Sequence, residues 1–335
     1  MNLSVVVPTK NEEKNIGACL DAFVDFVKTG QTLFDKIELI VVDNFSTDRT
    51  REIAAAKGAN VLLQGPERCA QRNRGWREAK GEWVLFLDAD MIAPSALIAE
   101  ILSVITPSFN HAASQFSDSI SISSPCLCAS VLKKTESDHR CPPSTSNLQP
   151  STSPSAYWIP EVRTGTGLRL AARNFERSFY NGTVIDGFRL LKRSALERIG
   201  GYDENLIACE DWDLDRRLLA SGAQGALLAS HLFHNEARQS LATLLRKKAY
   251  YSTSVDRYRE KWHNDEICRR QFGIGYRFFG VFFANGGWKR LLRHPLLAGV
   301  MYFERSLVAF TYLTHRNGVG DVADRRKIME TASCR

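Results

Sequence analysis

The chain has 335 residues, of which 44% are hydrophobic and 24% charged, with a formal net charge of +7. It is long enough to bury a sizeable core as one large domain or one domain with extensions, and its composition is that of an ordinary globular protein. A membrane-spanning helix is excluded, because no stretch holds the roughly 18 uninterrupted apolar residues one needs; the nearest, 296–313, is broken by Glu304 and Arg305.

In chain order, residues 3–8 form a short apolar run ended by proline, expected to be a central buried strand. The run leaves no room for a signal peptide at the start. Helical spacing follows at Ile16, Leu20, Phe23 and Val27, then a strand at 37–42 and a helix at 48–57. A short strand at 61–64, a basic helix at 66–79 and a strand at 83–87 ending in Asp88-Ala89-Asp90 complete the first half. This alternation predicts a doubly wound, mostly parallel α/β sheet whose ligands sit beyond the carboxyl ends of its strands.

Residues 107–156 break the pattern. They are crowded with Ser, Pro and Thr and lack periodicity, so they read as a low-complexity insertion between two domain halves, 1–106 and 157–235. Past it, the spacing predicts a helix at 168–180, a strand at 188–192 and a helix at 194–199 stopped by Gly200-Gly201. Glu210-Asp211-Trp212-Asp213 opens another helix through Ala220, and a strand at 226–229 leads to His231 and His234. Residues 236–335 are helical in character, basic and aromatic. They carry 19 lysines and arginines against 9 acids, which suits an anionic partner without choosing one.

Eight cysteines show neither zinc nor disulfide spacing, and with no export signal they read as reduced thiols of a cytoplasmic protein.

Four clusters carry chemistry. The strand before Asp88 and Asp90 delivers two carboxylates to its exposed end, hard oxygen ligands suited to Mg²⁺ or Mn²⁺ bridging a diphosphate; a capped turn with one solvated acid is the plain alternative. Asp43 ends a strand, where it either organises a turn or accepts from a uracil imide, and Asp48 caps the next helix. Pro8-Thr9-Lys10-Asn11-Glu12 is either a simple turn or a loop meeting a ribose. Glu210-Asp211 are either capping acids or a catalytic pair. His234 is a candidate third metal ligand, with His231 competing.

The order of Pro8-Thr9-Lys10-Asn11-Glu12, Asp43-Asn44-Phe45-Ser46-Thr47-Asp48, Arg72-Asn73-Arg74-Gly75, Asp88-Ala89-Asp90, Gly200-Gly201-Tyr202-Asp203 and Glu210-Asp211-Trp212-Asp213 resembles family 2 glycosyltransferases of the GT-A fold. The resemblance covers about 1–106 and 157–250. It implies an inverting, metal-dependent transfer from a nucleotide-sugar to a hydroxyl acceptor. Pro8, Thr9 and Glu12 would border the nucleoside, Asp43 the base and Arg72 the diphosphate. Asp88 would lie near the ribose or the metal's water shell, and Asp90 would bind the metal. Asp211 would be the base, with Glu210 beside it. UDP is the favoured nucleotide, with GDP and dTDP open and the acceptor unknown, lipid-linked or polysaccharide. A nucleotidyltransferase would need a glycine-rich basic loop where Pro8–Glu12 stands, and a non-catalytic nucleotide-sugar-binding protein would need no second acidic site.

The carboxyl-terminal region interleaves Arg246-Lys247-Lys248, Arg269-Arg270, Lys289-Arg290 and Arg293 with Tyr276, Phe278, Phe279, Phe282, Phe283 and Trp288. That pattern fits a peripheral helix on the anionic inner face of a membrane, or a helical subdomain whose aromatics pack on the core. Nucleic acid is not expected, since no binding motif accompanies the charge.

Overall fold

The computed structural model describes residues 2–29, 37–106, 153–235 and 255–316. Most of the insertion, 107–152, and the Arg246-Lys247-Lys248 cluster lie outside them. The insertion's predicted end at 156 is a few residues late, because Ala156 already belongs to a buried strand.

The first half follows the predicted alternation: β1 (Leu3–Thr9), α1 (Ile16–Thr29), β2 (Ile37–Asp43), α2 (Thr50–Ala56), β3 (Asn60–Leu63), α3 (Arg68–Glu78) and β4 (Trp83–Phe86). A two-residue β5 (Met91–Ile92) and α4 (Ser95–Ile105) follow. The second half comprises β6 (Ala156–Trp158), β7 (Glu161–Arg163), α5 (Leu168–Arg177), β8 (Phe188–Lys192), α6 (Arg193–Ile199), α7 (Glu210–Ala220), β9 (Gly225–Leu227) and β10 (Leu232–His234).

Seven strands form one sheet in the order β3-β2-β1-β4-β8-β6-β9. The β3, β2, β1 and β4 strands run parallel, whereas β8 is antiparallel to both of its neighbours. The mostly parallel sheet is therefore interrupted where its second half joins. A second sheet, β5-β10-β7, stands apart from the first. It was not expected, since two- and three-residue strands leave no periodic signal. It matters because Met91 pairs with His234 across it.

The apolar run in β1 is explained by burial on both faces. Leu3, Val5 and Val7 join Ile16, Leu20 and Phe23 of α1 on one side, and Val6 joins Trp76 of α3 and Leu214 of α7 on the other. A β-carbon on Gly75, in the middle of α3, would stand 2.2 Å from a methyl of Val6, so only glycine lets this helix approach β1. The two halves are stapled by Asn73. Its side chain donates to the Tyr202 carbonyl at 2.9 Å and accepts from the Tyr202 amide at 2.8 Å and from the Trp76 indole at 3.0 Å.

The carboxyl-terminal helices pack onto the second half as part of its core. α8 (Val255–Lys261) and α9 (Glu266–Phe272) lie against α7, with Tyr258 and Cys268 beside Leu206. Beyond them come α10 (Trp288–Arg293) and α11 (Pro295–Arg316). The two charges that break the apolar run of α11 are turned inward, Glu304 onto Arg169 and Arg305 onto Glu176. Phe282, one of the aromatics read as either interfacial or packed on the core, is fully buried with Phe175, Phe179 and Met301. Arg290 lies over the Phe179 ring at 4.3 Å.

Candidate active site

The carboxyl ends of β1, β2 and β4 lie side by side, with Thr9 in register with Asp43. Pro8 and Thr9 are buried at the end of β1, where the Thr9 carbonyl accepts from Asn44 N at 2.8 Å and Gln71 Nε2 at 3.0 Å. Gln71 also donates to the Val42 carbonyl, tying the two strand ends together. The Thr9 hydroxyl is buried without a hydrogen-bond partner in the structure. Glu12 is half-buried; burial, then nearby Asp90, Asp48 and Asp88, push its carboxyl up against the hydrogen bond it accepts from Asn15.

Asp43, expected against the base, is fully buried. Its carboxylate accepts from the Ser46 amide at 2.8 Å and the Ser46 hydroxyl at 2.5 Å, so it shapes the turn that follows β2. The tip of that turn is Phe45, which has a φ of +51° and is 62% exposed. A bulky side chain in this region of backbone space is strained, and exposing it gains nothing for folding. Asp48 accepts from both the amide and the hydroxyl of Thr50 at the start of α2, but the N-cap position is Arg49, so Asp48 braces the helix start from one residue outside the predicted cap.

At the end of β4, Asp90 Oδ2 lies 3.0 Å from His234 Nε2. Pairing of β10 with β5 brings this about, and the Asn235 amide donates to the Asp90 carbonyl at 2.7 Å. His231 is exposed ahead of β10, so His234 is the imidazole that meets Asp90. The His234 Nδ1 is buried without a partner. Among the described residues no cluster of three or more metal-ligating side chains exists. One carboxylate and one imidazole are a donor pair that suits a divalent cation.

Arg72, expected beside the diphosphate, is buried. Its guanidinium reaches Asp211 at 3.0 Å, Asp88 at 3.2 Å and Glu210 at 3.6 Å and lies over the Tyr202 ring. A row of alternating charges continues from it: Asp88 meets Arg189 at 3.7 Å, Arg189 donates to Glu161 at 2.6 Å, and Arg177 joins Glu161 to Asp186. Against the cost of burial, Arg72 and then Arg189 hold Asp88 well below the usual carboxylate range. Against burial, Arg189 and then Arg177 bring Glu161 down to about 2.

Glu210 and Asp211 start α7, where a helix N-terminus favours negative charge. They differ sharply in surroundings. Asp211 has a side chain 41% exposed, whereas burial and then the adjacent Asp211 charge push Glu210 up to about 6. Asp211 faces a cavity of about 110 Å³ that Arg72, Arg177, Arg189, Tyr202 and Trp212 help to line. Gly187 makes room for it: a β-carbon there would approach Asp211 Cβ to 3.0 Å. Sequence reasoning missed Gln71, Phe45, Gly187 and Arg189. Of these, Arg189 left a signal as a charge inside an apolar strand, and Phe45 lay within the Asp43–Asp48 motif without being singled out.

Residues 4–120 match the sequence model of Glycosyl transferase family 2. The glycosyltransferase AglE of Haloferax volcanii is 38% identical over 96 residues, 26% of this chain and 30% of AglE. The glucosyl-3-phosphoglycerate synthase of Mycolicibacterium paratuberculosis is 38% identical over 101 residues, 28% of this chain and 29% of the synthase. The matched stretch thus spans less than a third of either relative's own length. In three dimensions the chain is similar to the mannosyltransferase PcManGT from Pyrobaculum calidifontis, solved in complex with GDP-Man and Mn²⁺. The TM-score is 0.52 at 16% identity, covering 94% of this chain and 85% of that one. The fold is the GT-A glycosyltransferase fold, and the chain resembles family 2.

Proposed function

We propose that this chain is an inverting family 2 glycosyltransferase that moves a sugar from a nucleotide-sugar to a hydroxyl acceptor, with a divalent cation at Asp90 and His234. The observation that carries the reading is the convergence, through Arg72, of the acids after β4 with the acids that open α7. Donor and acceptor chemistry would then meet at one buried guanidinium.

Pro8, Thr9 and Glu12 border the nucleoside, with the Thr9 hydroxyl available to a ribose. Phe45 offers its exposed ring to the base, held out by the turn that Asp43 shapes. A uridine donor is favoured, because trading the Ser46 hydroxyl for an imide N–H would turn Asp43 toward the base. Asp90 and His234 would hold Mn²⁺ or Mg²⁺, and such a cation would supply positive charge to a diphosphate leaving group. Asp88, fixed by Arg72 and Arg189, orders the ribose or water beside that cation. Asp211 accepts the proton of the acceptor hydroxyl as it attacks the anomeric carbon, while Arg72 fixes the direction of its carboxylate. Buried Glu210 sets the local charge.

The test is release of free nucleoside diphosphate from UDP-, GDP- and dTDP-sugars with Mn²⁺ and a panel of sugar and polyol-phosphate acceptors. Stoichiometric release with transfer of label to an acceptor is expected. Nucleoside monophosphate and pyrophosphate chemistry, or donor binding with no turnover, would replace the reading by a nucleotidyltransferase or a binding protein.

A further inference from the structure

The last third of the chain exposes a series of large apolar side chains. On α11, Leu296, Phe303 and Phe310 recur every seven residues, so they form one stripe, each between 64% and 67% exposed. The opposite face of α11 is the packed one, with Met301 in the core and Glu304 and Arg305 in ion pairs. Trp288 and Leu292, four residues apart on α10, are likewise exposed, as are Phe279 and Phe283 just before it.

Charge identifies what these side chains meet. From Ile267 to Arg316 the sequence holds eight lysines and arginines and a single acid, Glu304, which is turned inward onto Arg169. Arg269, Arg270, Lys289 and Arg293 are exposed, and Lys289 and Arg293 sit four apart beside the Trp288–Leu292 stripe. Two copies of so basic a face repel each other. A nucleic acid leaves the leucines and phenylalanines without partners. An anionic bilayer satisfies both features, taking the apolar stripes into its acyl boundary and the cations at its headgroups. Among the described residues no helix is long and apolar enough to cross a membrane, which makes this a surface that lies on the bilayer.

We propose that α10 and α11, with the aromatic turn before them, dock this protein on an anionic lipid surface. The docking rests on exposure and charge and is independent of the proposed reaction. It bears on the site all the same, because α8 and α9 grip the start of α7. Trp262 donates to Asp213 at 3.0 Å, Lys261 reaches the same carboxylate at 2.8 Å, and Trp212 packs on Tyr258 and Phe272. A docked protein would therefore hold the Asp211 end of α7 in a fixed relation to the bilayer.

Flotation of the full chain with phosphatidylcholine vesicles, with and without phosphatidylserine, tests this. Two variants are compared: Leu296→Ser with Phe303→Ser and Phe310→Ser, and Lys289→Glu with Arg293→Glu. All five side chains are exposed, and a thermal melt checks that each variant folds. The wild type should bind phosphatidylserine vesicles and release them as salt rises, and each variant should bind about tenfold more weakly or worse. Four outcomes overturn the proposal: no vesicle binding by the wild type, equal binding to neutral and anionic vesicles, full binding by a folded variant, or self-association in place of vesicle binding.

Discussion

At two positions the fold carries a side chain at a cost to stability. Glu210 has its carboxyl raised from an ordinary 4.5 to about 6 by burial and by the Asp211 charge. A raised folded-state value means its contribution to stability is fully present below about 4.5 and is lost as pH climbs through about 6. At 1.36 kcal/mol per pH unit, the loss is about 2 kcal/mol. The Glu210→Gln variant cannot ionise, so it should be more stable than wild type by up to ~2 kcal/mol above about pH 7, the gap closing near pH 4.5. Urea unfolding at the two pH values measures this, and a gap that widened on acidification would contradict it. Phe45 makes a sharper case. Phe45→Gly relieves the strain of φ +51°, so the melting temperature should hold or rise, by roughly 1 kcal/mol of stability at most. Removal of the ring should at the same time weaken nucleotide binding by roughly tenfold or more, the scale of one base–aromatic stack. Calorimetric titration of nucleoside diphosphate beside a melt reads both. Unchanged affinity would free Phe45 from any role at the base.

Among the elements, the connection between the halves is the part most exposed to a single change. Asn73 is buried and its side chain makes four hydrogen bonds, two of them across to the Tyr202 backbone and one to Glu204. Asn73→Ala leaves the Tyr202 amide and the Trp76 indole buried without partners, each costing about 1–3 kcal/mol. Denaturant unfolding should show a loss of at least ~2 kcal/mol, and a smaller loss would mean that the halves are held chiefly by apolar packing. At this scale the sequence was most informative where periodicity was strong. The spacing of Ile16, Leu20 and Phe23 announced α1, and a β1 buried on both faces could be read from Val5-Val6-Val7. Neither the reversal of β8 nor the small sheet that brings His234 to Asp90 could be read. Strand direction and three-residue pairings are set by the tertiary partner and leave no local pattern. The same limit applies to Arg72. A motif marked it as functional, but that its partners are Asp211, Asp88 and Glu210 depends on the packing of α3 under α7.

For the whole molecule, the low-complexity stretch and the paired site give separate expectations. Residues 107–152 are crowded with Ser, Pro and Thr and lack periodicity, a composition that does not bury a core. Replacing that stretch by a short Gly/Ser linker should therefore leave the melting temperature nearly unchanged; loss of cooperative unfolding would show that the stretch is structural. In the proposed mechanism Asp90 would hold a cation for the donor, whereas Asp211 would serve the acceptor. Calorimetric titration of donor with Mn²⁺, read beside nucleotide release in Asp90→Asn and Asp211→Asn, tests it directly. For Asp211→Asn the account predicts donor affinity within a few-fold of wild type and a kcat lower by roughly 10²–10⁴. For Asp90→Asn it predicts that the metal-dependent part of donor binding is lost along with turnover. Normal Mn²⁺-dependent donor binding by Asp90→Asn, or near-normal turnover by Asp211→Asn, would contradict it.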